Sequence, residues 1–216
     1  MGVSIESLSI AFDGQTIYDD LNIKINKGEF VAILGKSGCG KTVLLNSILG
    51  AIKPQSGKIY IGGKQILSPS KLVSVCYQDF AILPWLTLYE NLKLSGASDE
   101  IIFENAKKLQ IFEHLDKLPK QVSIGMKQRT SIARSISIQS EVYLMDEPLC
   151  SVDAITADMI REDIKRVLLN KTVILVTHNI DEALYLADRI ICLRNGKVSL
   201  DASAGELSKQ QILKKL

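Results

Sequence analysis

A chain of 216 residues, 46% apolar and 23% charged, has the balance of a globular protein able to bury a large core, and sits at the upper end of what one domain spans. Its 26 basic and 24 acidic residues leave a formal charge of +2 and form no block of one sign. Disorder, a nucleic-acid footprint and attraction to an anionic lipid surface are therefore not expected.

In chain order, the first segment alternates apolar and polar residues around Asp13-Gly14, a hairpin signal, and Leu21 to Ile25 alternate again before Lys27-Gly28. Antiparallel strands with one wet face are predicted here. Phe30-Val31-Ala32-Ile33-Leu34 is instead a continuous apolar run, as expected of a strand buried on both faces of a parallel sheet. After a glycine-rich turn, Leu44/Ile48 and Leu45/Leu49 pair at helical spacing until Gly50 and Pro54 close the helix. Lys58 to Ile61 with Gly62-Gly63 predicts another hairpin, and Leu72 to Tyr77 another strand. From about Pro84 to Ser140 the pattern turns helical, with Leu92, Ile101, Ala106, Leu109, Ile132 and Ile136 at helical spacings. This stretch is expected to be a helical insertion at about 84–140 in a single domain covering 1–216. Val142 to Met145 and Thr172 to Val176 predict two more buried strands, with a helix through Ile160, Ile164, Val167 and Leu168 between them. A final strand around Ile190 to Leu193 turns at Asn195-Gly196, and Leu207, Ile212, Leu213 and Leu216 suggest a closing helix. The alternation implies a largely parallel α/β sheet with short right-handed crossovers.

No window approaches the roughly 18 consecutive apolar residues of a membrane span. The start, Met1 to Glu6, lacks a secretory h-region. Cys39, Cys76, Cys150 and Cys192 are far apart and without C-x-x-C spacing, so reduced thiols in a cytoplasmic protein are expected, with any membrane association coming through a partner.

Chemistry enters at Gly35-Lys36-Ser37-Gly38-Cys39-Gly40-Lys41-Thr42, which fits G-x-x-x-x-G-K-[ST] between a predicted buried strand and a predicted helix. Glycines let successive backbone N–H groups turn toward phosphate oxygens, and the helix N-terminus adds partial positive charge. Lys41 would reach the β- and γ-phosphates and the Thr42 hydroxyl would bind Mg²⁺. Asp146 and Glu147 end a buried strand, where open α/β sheets bind ligands. In such a site the first carboxylate holds Mg²⁺ and the second polarises the attacking water. By itself an acidic pair there is as often a turn or a helix cap; the upstream motif makes it specific. His178 follows the next strand and should emerge at the same edge. A lone strand-end histidine is usually a satisfied surface residue, but beside these motifs it can donate to the γ-phosphate. Gln78, after the strand ending at Tyr77, can similarly contact Mg²⁺ or the nucleophilic water.

The ordered set of P-loop, Gln78 loop, helical stretch, Ser123-Ile124-Gly125, Asp146-Glu147, Asp153 and His178 resembles the ATP-binding cassette, or ABC, ATPase family over nearly the whole chain. The resemblance implies an α/β P-loop NTPase core with a mostly parallel sheet, an N-terminal antiparallel β subdomain and an inserted α-helical subdomain. It implies ATP and Mg²⁺ as ligands. The family's adenine-stacking aromatic maps to Phe12, although an aromatic in a strand is more often core. Its L-S-G-G-Q motif maps to Val122-Ser123-Ile124-Gly125-Met126, which contacts ATP held by the opposite subunit, so a homodimer or a pair with a homologous subunit is implied. Val122, Ile124 and Met126 depart from that pattern, whereas Ser123 and Gly125 are retained; Ser123 can also cap the following helix. A β-branched Ile124 stiffens the approach, consistent with reduced activity or weaker closure. Asp153 keeps its place in Cys150-Ser151-Val152-Asp153.

The run Gln78 to Thr87 and Gly125 to Arg129 resemble the nitrate, sulfonate and taurine importer branch. That implies integral membrane permease subunits, indirectly a substrate-binding protein, and a position on the inner face of the cell membrane. Phe80, Trp85 and Tyr89 would suit a groove receiving a permease helix, or would pack the insertion's own small core. Two rival readings are an ABC-type ATPase acting on DNA or ribosomes, which usually carries a coiled-coil insertion, a second cassette or basic extensions, and a small-molecule P-loop kinase, which leaves Ser123-Ile124-Gly125 and His178 without a role.

Overall fold

Alternation along the strands decides which sheet each one joins. A computed structural model describes residues 2–216. The amphipathic strands β1 (Val3–Phe12) and β2 (Gln15–Ile25) pair antiparallel across the Asp13-Gly14 turn. Then come β3 (Phe30–Gly35), α1 (Lys41–Leu49), β4 (Ser56–Ile61), β5 (Lys64–Gln65) and β6 (Val73–Cys76). The helices α2 (Leu88–Lys93), α3 (Asp99–Lys108) and α4 (Ile124–Ser137) follow. The chain continues through β7 (Val142–Asp146), α5 (Ala154–Val167), β8 (Thr172–Thr177), α6 (Ile180–Leu186), β9 (Arg189–Arg194), β10 (Lys197–Ser203) and α7 (Lys209–Leu213).

The two predicted N-terminal hairpins join into one antiparallel sheet of order β2-β1-β4-β5. The second sheet has the order β10-β9-β3-β8-β7-β6, parallel from β9 to β6, with β10 antiparallel to β9. Its central strands are apolar throughout because both faces are covered. Val31, Ile33, Leu144, Ile174 and Val176 point into a core shared with α1 and the antiparallel sheet. Ala32, Leu34, Tyr143, Met145, Val173 and Leu175 point into a core shared with α2 to α6. The fold is thus the predicted α/β class: a P-loop NTPase core of mostly parallel sheet, an antiparallel β unit and a set of helices.

Residues 84–140 contain α2, α3 and α4 and no strand. Their apolar faces do not close on themselves: Leu88, Leu92, Ile102, Ala106 and Ile132 share one core with the sheet residues Ala32 and Leu34. Two elements carry little sequence signal. The seven-residue α6 is too short for a period to register and is instead set by Asn179, whose Oδ1 accepts from the amides of Asp181 (3.0 Å) and Glu182 (3.2 Å). Strand β10 is half exposed and lies at the sheet edge, so no continuous apolar run marks it. The closing helix is short, α7 covering Lys209–Leu213 only.

Candidate nucleotide site

The candidate residues lie far apart in the chain and become neighbours through sheet order. The P-loop follows β3, His178 follows β8, Glu147 follows β7 and Gln78 follows β6, and these strands are adjacent in the order β3-β8-β7-β6. Because they are parallel, all four segments leave from the same, carboxyl edge. There a cavity of about 650 Å³ is lined by Ser37, Gly38, Gly40, Lys41, Thr42, Gln78, Glu147 and His178, together with Ile17 and Val43.

The cradle is shaped by Gly38 (φ 79°) and Gly40 (φ 101°), the latter standing just before α1. A side chain at Gly40 would be strained by that backbone angle and would also collide with Tyr18 and Ile17, its Cβ falling 2.7 Å from the Tyr18 hydroxyl. Gly35, Lys36 and Cys39 of the motif are not among the lining residues. The buried Lys41 ammonium donates to the carbonyls of Gly35 (2.7 Å) and Lys36 (3.1 Å), and the Cys39 amide donates to Lys36 O at 3.2 Å. Two of the three N–H donors of Lys41 are thereby used, and its charge is held at the cavity floor.

Asp146, the last residue of β7, is buried and outside the lining. Its pKa is raised, first by burial and then by the Glu147 charge, with Lys41 opposing. Glu147 adopts a left-handed backbone (φ 44°) while its amide continues the sheet by donating to Val176 O at 2.8 Å. A non-glycine residue in that region is strained, and such strain gathers at functional positions. His178 Nδ1 lies 3.0 Å from the Glu147 carboxylate, and the imidazole is otherwise largely exposed. One carboxylate and one imidazole thus face the cavity side by side.

Several predicted site residues stand elsewhere. Phe12, at the end of β1, is exposed and absent from the lining, where Ile17 of β2 takes the apolar place. Ser123 caps α4, its Oγ accepting from the Met126 amide at 3.2 Å. Gly125 is buried against α5. Asp153 caps α5, accepting from the Thr156 amide (3.0 Å) and hydroxyl (2.7 Å), bonds that lower its pKa. None of the three lines this cavity. Of the aromatic trio, Trp85 is exposed, whereas Tyr89 stacks on Phe103 (5.9 Å between centroids) and packs the helices.

Behind Glu147 and His178 a second cavity of about 260 Å³ is lined also by Cys150, Arg161, Thr177 and Glu182. Glu182 and Arg161 escaped sequence reasoning because a charged residue on a helix is normally a solvated face. Burial marks Glu182 as different: it is 2% exposed, and its Oε2 accepts from the Thr177 hydroxyl.

Phosphate fits the first cavity, whose lining offers an ammonium, a hydroxyl and the amides that open the nine-residue α1. Magnesium fits too: Thr42, Gln78 and Asp146 offer hard oxygen donors near one edge. Among the described residues no group of three or more His, Cys, Asp or Glu could hold a metal alone, so phosphate oxygens would complete the shell.

Comparison with known proteins agrees with this geometry. The family profile described as ABC transporter matches residues 18–150. The bicarbonate transport ATP-binding protein CmpD of Synechocystis sp. is 38% identical over 204 residues, covering 89% of this chain and 71% of that protein. The nitrate import ATP-binding protein NrtD of Synechococcus elongatus is 36% identical over 201 residues, covering 88% and 72%. A dimeric, post-hydrolysis structure of the ATP-binding cassette MJ0796 bound to ADP and Pi superposes with a TM-score of 0.81 at 28% identity, over 94% of this chain and 98% of that one. With the P-loop, the paired Glu147 and His178 and the sheet order in place, these matches establish that the chain belongs to the ABC transporter family, as an ATP-binding subunit that hydrolyses ATP.

Proposed function

We propose that this chain powers an ABC importer. Two cassettes, either two copies or this chain with a homologous subunit, enclose ATP between them and drive integral permease subunits that are served by a substrate-binding protein. The relatives that carry bicarbonate and nitrate support the importer reading. Action on DNA or ribosomes is not favoured, since those relatives are transport subunits. Among the described residues no helix is long and apolar enough to cross a membrane, which suits a peripheral place on the cytoplasmic face, held by the permease. The chain is read as one ATPase domain over 1–216 with a helical insertion at about 84–140.

The observation that carries this reading is the convergence of Lys41 and Thr42 with Gln78, Glu147 and His178 on one cavity, although they come from four separate segments. In the mechanism, Gly35 to Thr42 cradle the phosphates, with Lys41 opposing the charge of the β- and γ-oxygens. Thr42, Gln78 and Asp146 would hold Mg²⁺, which when bound would supply positive charge against the charge developing on the phosphates. Glu147 orients and polarises the water in line with the γ-phosphate, and His178, 3.0 Å from Glu147, is placed to donate to that phosphate. Phe12, exposed and outside this lining, is assigned to the adenine on the family resemblance alone. Ser123, Gly125 and Asp153 are absent from this lining and are assigned to nucleotide held by the partner subunit, which completes the site.

The test is Glu147→Gln, which keeps the volume but removes the carboxylate. Phosphate release should fall by at least ~100-fold. Nucleotide binding should persist and an ATP-dependent dimer should accumulate on gel filtration. Turnover equal to that of the native protein would remove Glu147 from its role.

A further inference from the structure

Gln78 reaches the nucleotide cavity from an exposed turn, yet the chain on both sides of it is fastened to one helix. Before it, on β6, the Ser74 hydroxyl donates to Ser135 O at 2.8 Å, and Cys76 Sγ lies 3.4 Å from Ser131 Oγ. After it, the Arg134 guanidinium donates from Nη1 to Ala81 O (2.7 Å) and from Nη2 to Phe80 O (3.0 Å). All three partners, Ser131, Arg134 and Ser135, belong to α4.

The two carbonyls that Arg134 holds belong to strained residues. Phe80 (φ 56°) and Ala81 (φ 48°) are consecutive non-glycine residues in the left-handed region. An L side chain is disfavoured there, and two in succession persist only when something outside the turn holds them. A charged, planar fork with two parallel donors suits that task, and a lysine would not reproduce it. The far end of the loop is fixed separately. Asn91, fully buried, accepts from Leu83 N (2.8 Å) and donates to Leu86 O (3.1 Å) and Thr87 O (2.9 Å). Only the stretch next to Gln78 depends on Arg134.

We propose that Arg134 is a positioning residue for Gln78: its guanidinium holds Phe80 and Ala81 in the left-handed backbone that turns Gln78 into the cavity. The place of Gln78 is thereby tied to α4, the helix that Ser123 caps and that carries Gly125 in its first turn. The inference rests on the proposed ATPase reading for what Gln78 does once placed, but not for how it is placed.

Amide hydrogen exchange of Gln78 to Ala81 supplies the probe, since this is the stretch that Arg134 holds. In Arg134→Ala, these amides should exchange faster without any nucleotide present. Nucleotide affinity should stay within about threefold while kcat falls about tenfold, because the cradle of α1 is untouched. Arg134→Lys should restore little. Adding Ala81→Gly to Arg134→Ala should recover most of the lost kcat, because glycine adopts the left-handed angle without the clamp. Ala81→Gly alone should leave turnover at the native level.

Native amide exchange at Gln78 to Ala81 and native kcat in Arg134→Ala would overturn the proposal. So would a loss that Ala81→Gly fails to recover while circular dichroism and melting temperature remain native, since Arg134 would then act other than through this turn. If Arg134→Ala does not fold, the comparison is made with Arg134→Gln, which keeps much of the side chain's length. Failure of the native protein to bind magnesium nucleotide would sink the ATPase reading instead, whereas the nucleotide-free amide exchange of Gln78 to Ala81 would still decide for or against the clamp.

Discussion

Lys41 is 7% exposed and charged, a combination that holds only because the carbonyls of Gly35 and Lys36 accept from it. Those bonds are local, made by residues five and six positions back, so the motif spacing alone foretells them. The third donor and the unit charge are what a triphosphate can use. Lys41→Ala should therefore weaken binding of magnesium nucleotide by at least tenfold, about 1.4 kcal/mol or more. Isothermal calorimetry on protein with an unchanged circular dichroism spectrum checks it, and unchanged affinity would discard the cradle. Glu147 is less legible. That it follows a buried strand is evident from sequence, but its left-handed backbone, and its approach to His178 at the end of the neighbouring strand β8, are not.

At the scale of elements, the contact between α4 and α5 shows how one residue can carry two demands. Gly125 belongs to the segment that the family resemblance places against ATP of the opposite subunit, and a Cβ there would also stand 2.5 Å from Thr156 Cγ2 on α5. Gly125→Ala should thus force α4 and α5 apart and destabilise the protein by ~1–3 kcal/mol. Thr156→Ser removes the obstructing methyl while keeping the hydroxyl that bonds Asp153, so the double variant should regain most of the loss. Urea midpoints of the single and double variants decide it; an equal loss in both would mean that this contact is not the constraint. The elements missed in the sequence, α6 and β10, are short or half exposed. They are ordered by a cap and by an edge pairing rather than by an apolar period.

For the molecule as a whole, Glu182 makes stability depend on pH. Burial raises its pKa, with the Thr177 hydrogen bond and Arg161 opposing. Its folded pKa lies above the unfolded one, so its contribution is fully present below the unfolded value and is lost as pH rises through the folded value. Glu182→Gln keeps an acceptor for Thr177 and removes the buried charge. At neutral pH the variant should melt no lower than the native protein, and it should lack part of the native gain in stability on mild acidification. Thermal melts between roughly pH 5 and pH 8 test this; superimposable pH profiles would show that Glu182 is not the group responsible.

The residues by themselves determined the α/β class, the strands buried on both faces and the phosphate motif between β3 and α1. Each is written in consecutive side chains or in backbone bonds spanning a few positions. Only the tertiary structure decided that the two early hairpins share one sheet and that Ile17 rather than Phe12 lines the cavity. It also decided that Gln78, Glu147 and His178 meet there. Strand order is set by the packing of distant apolar faces against one another, and no short window of sequence contains that information.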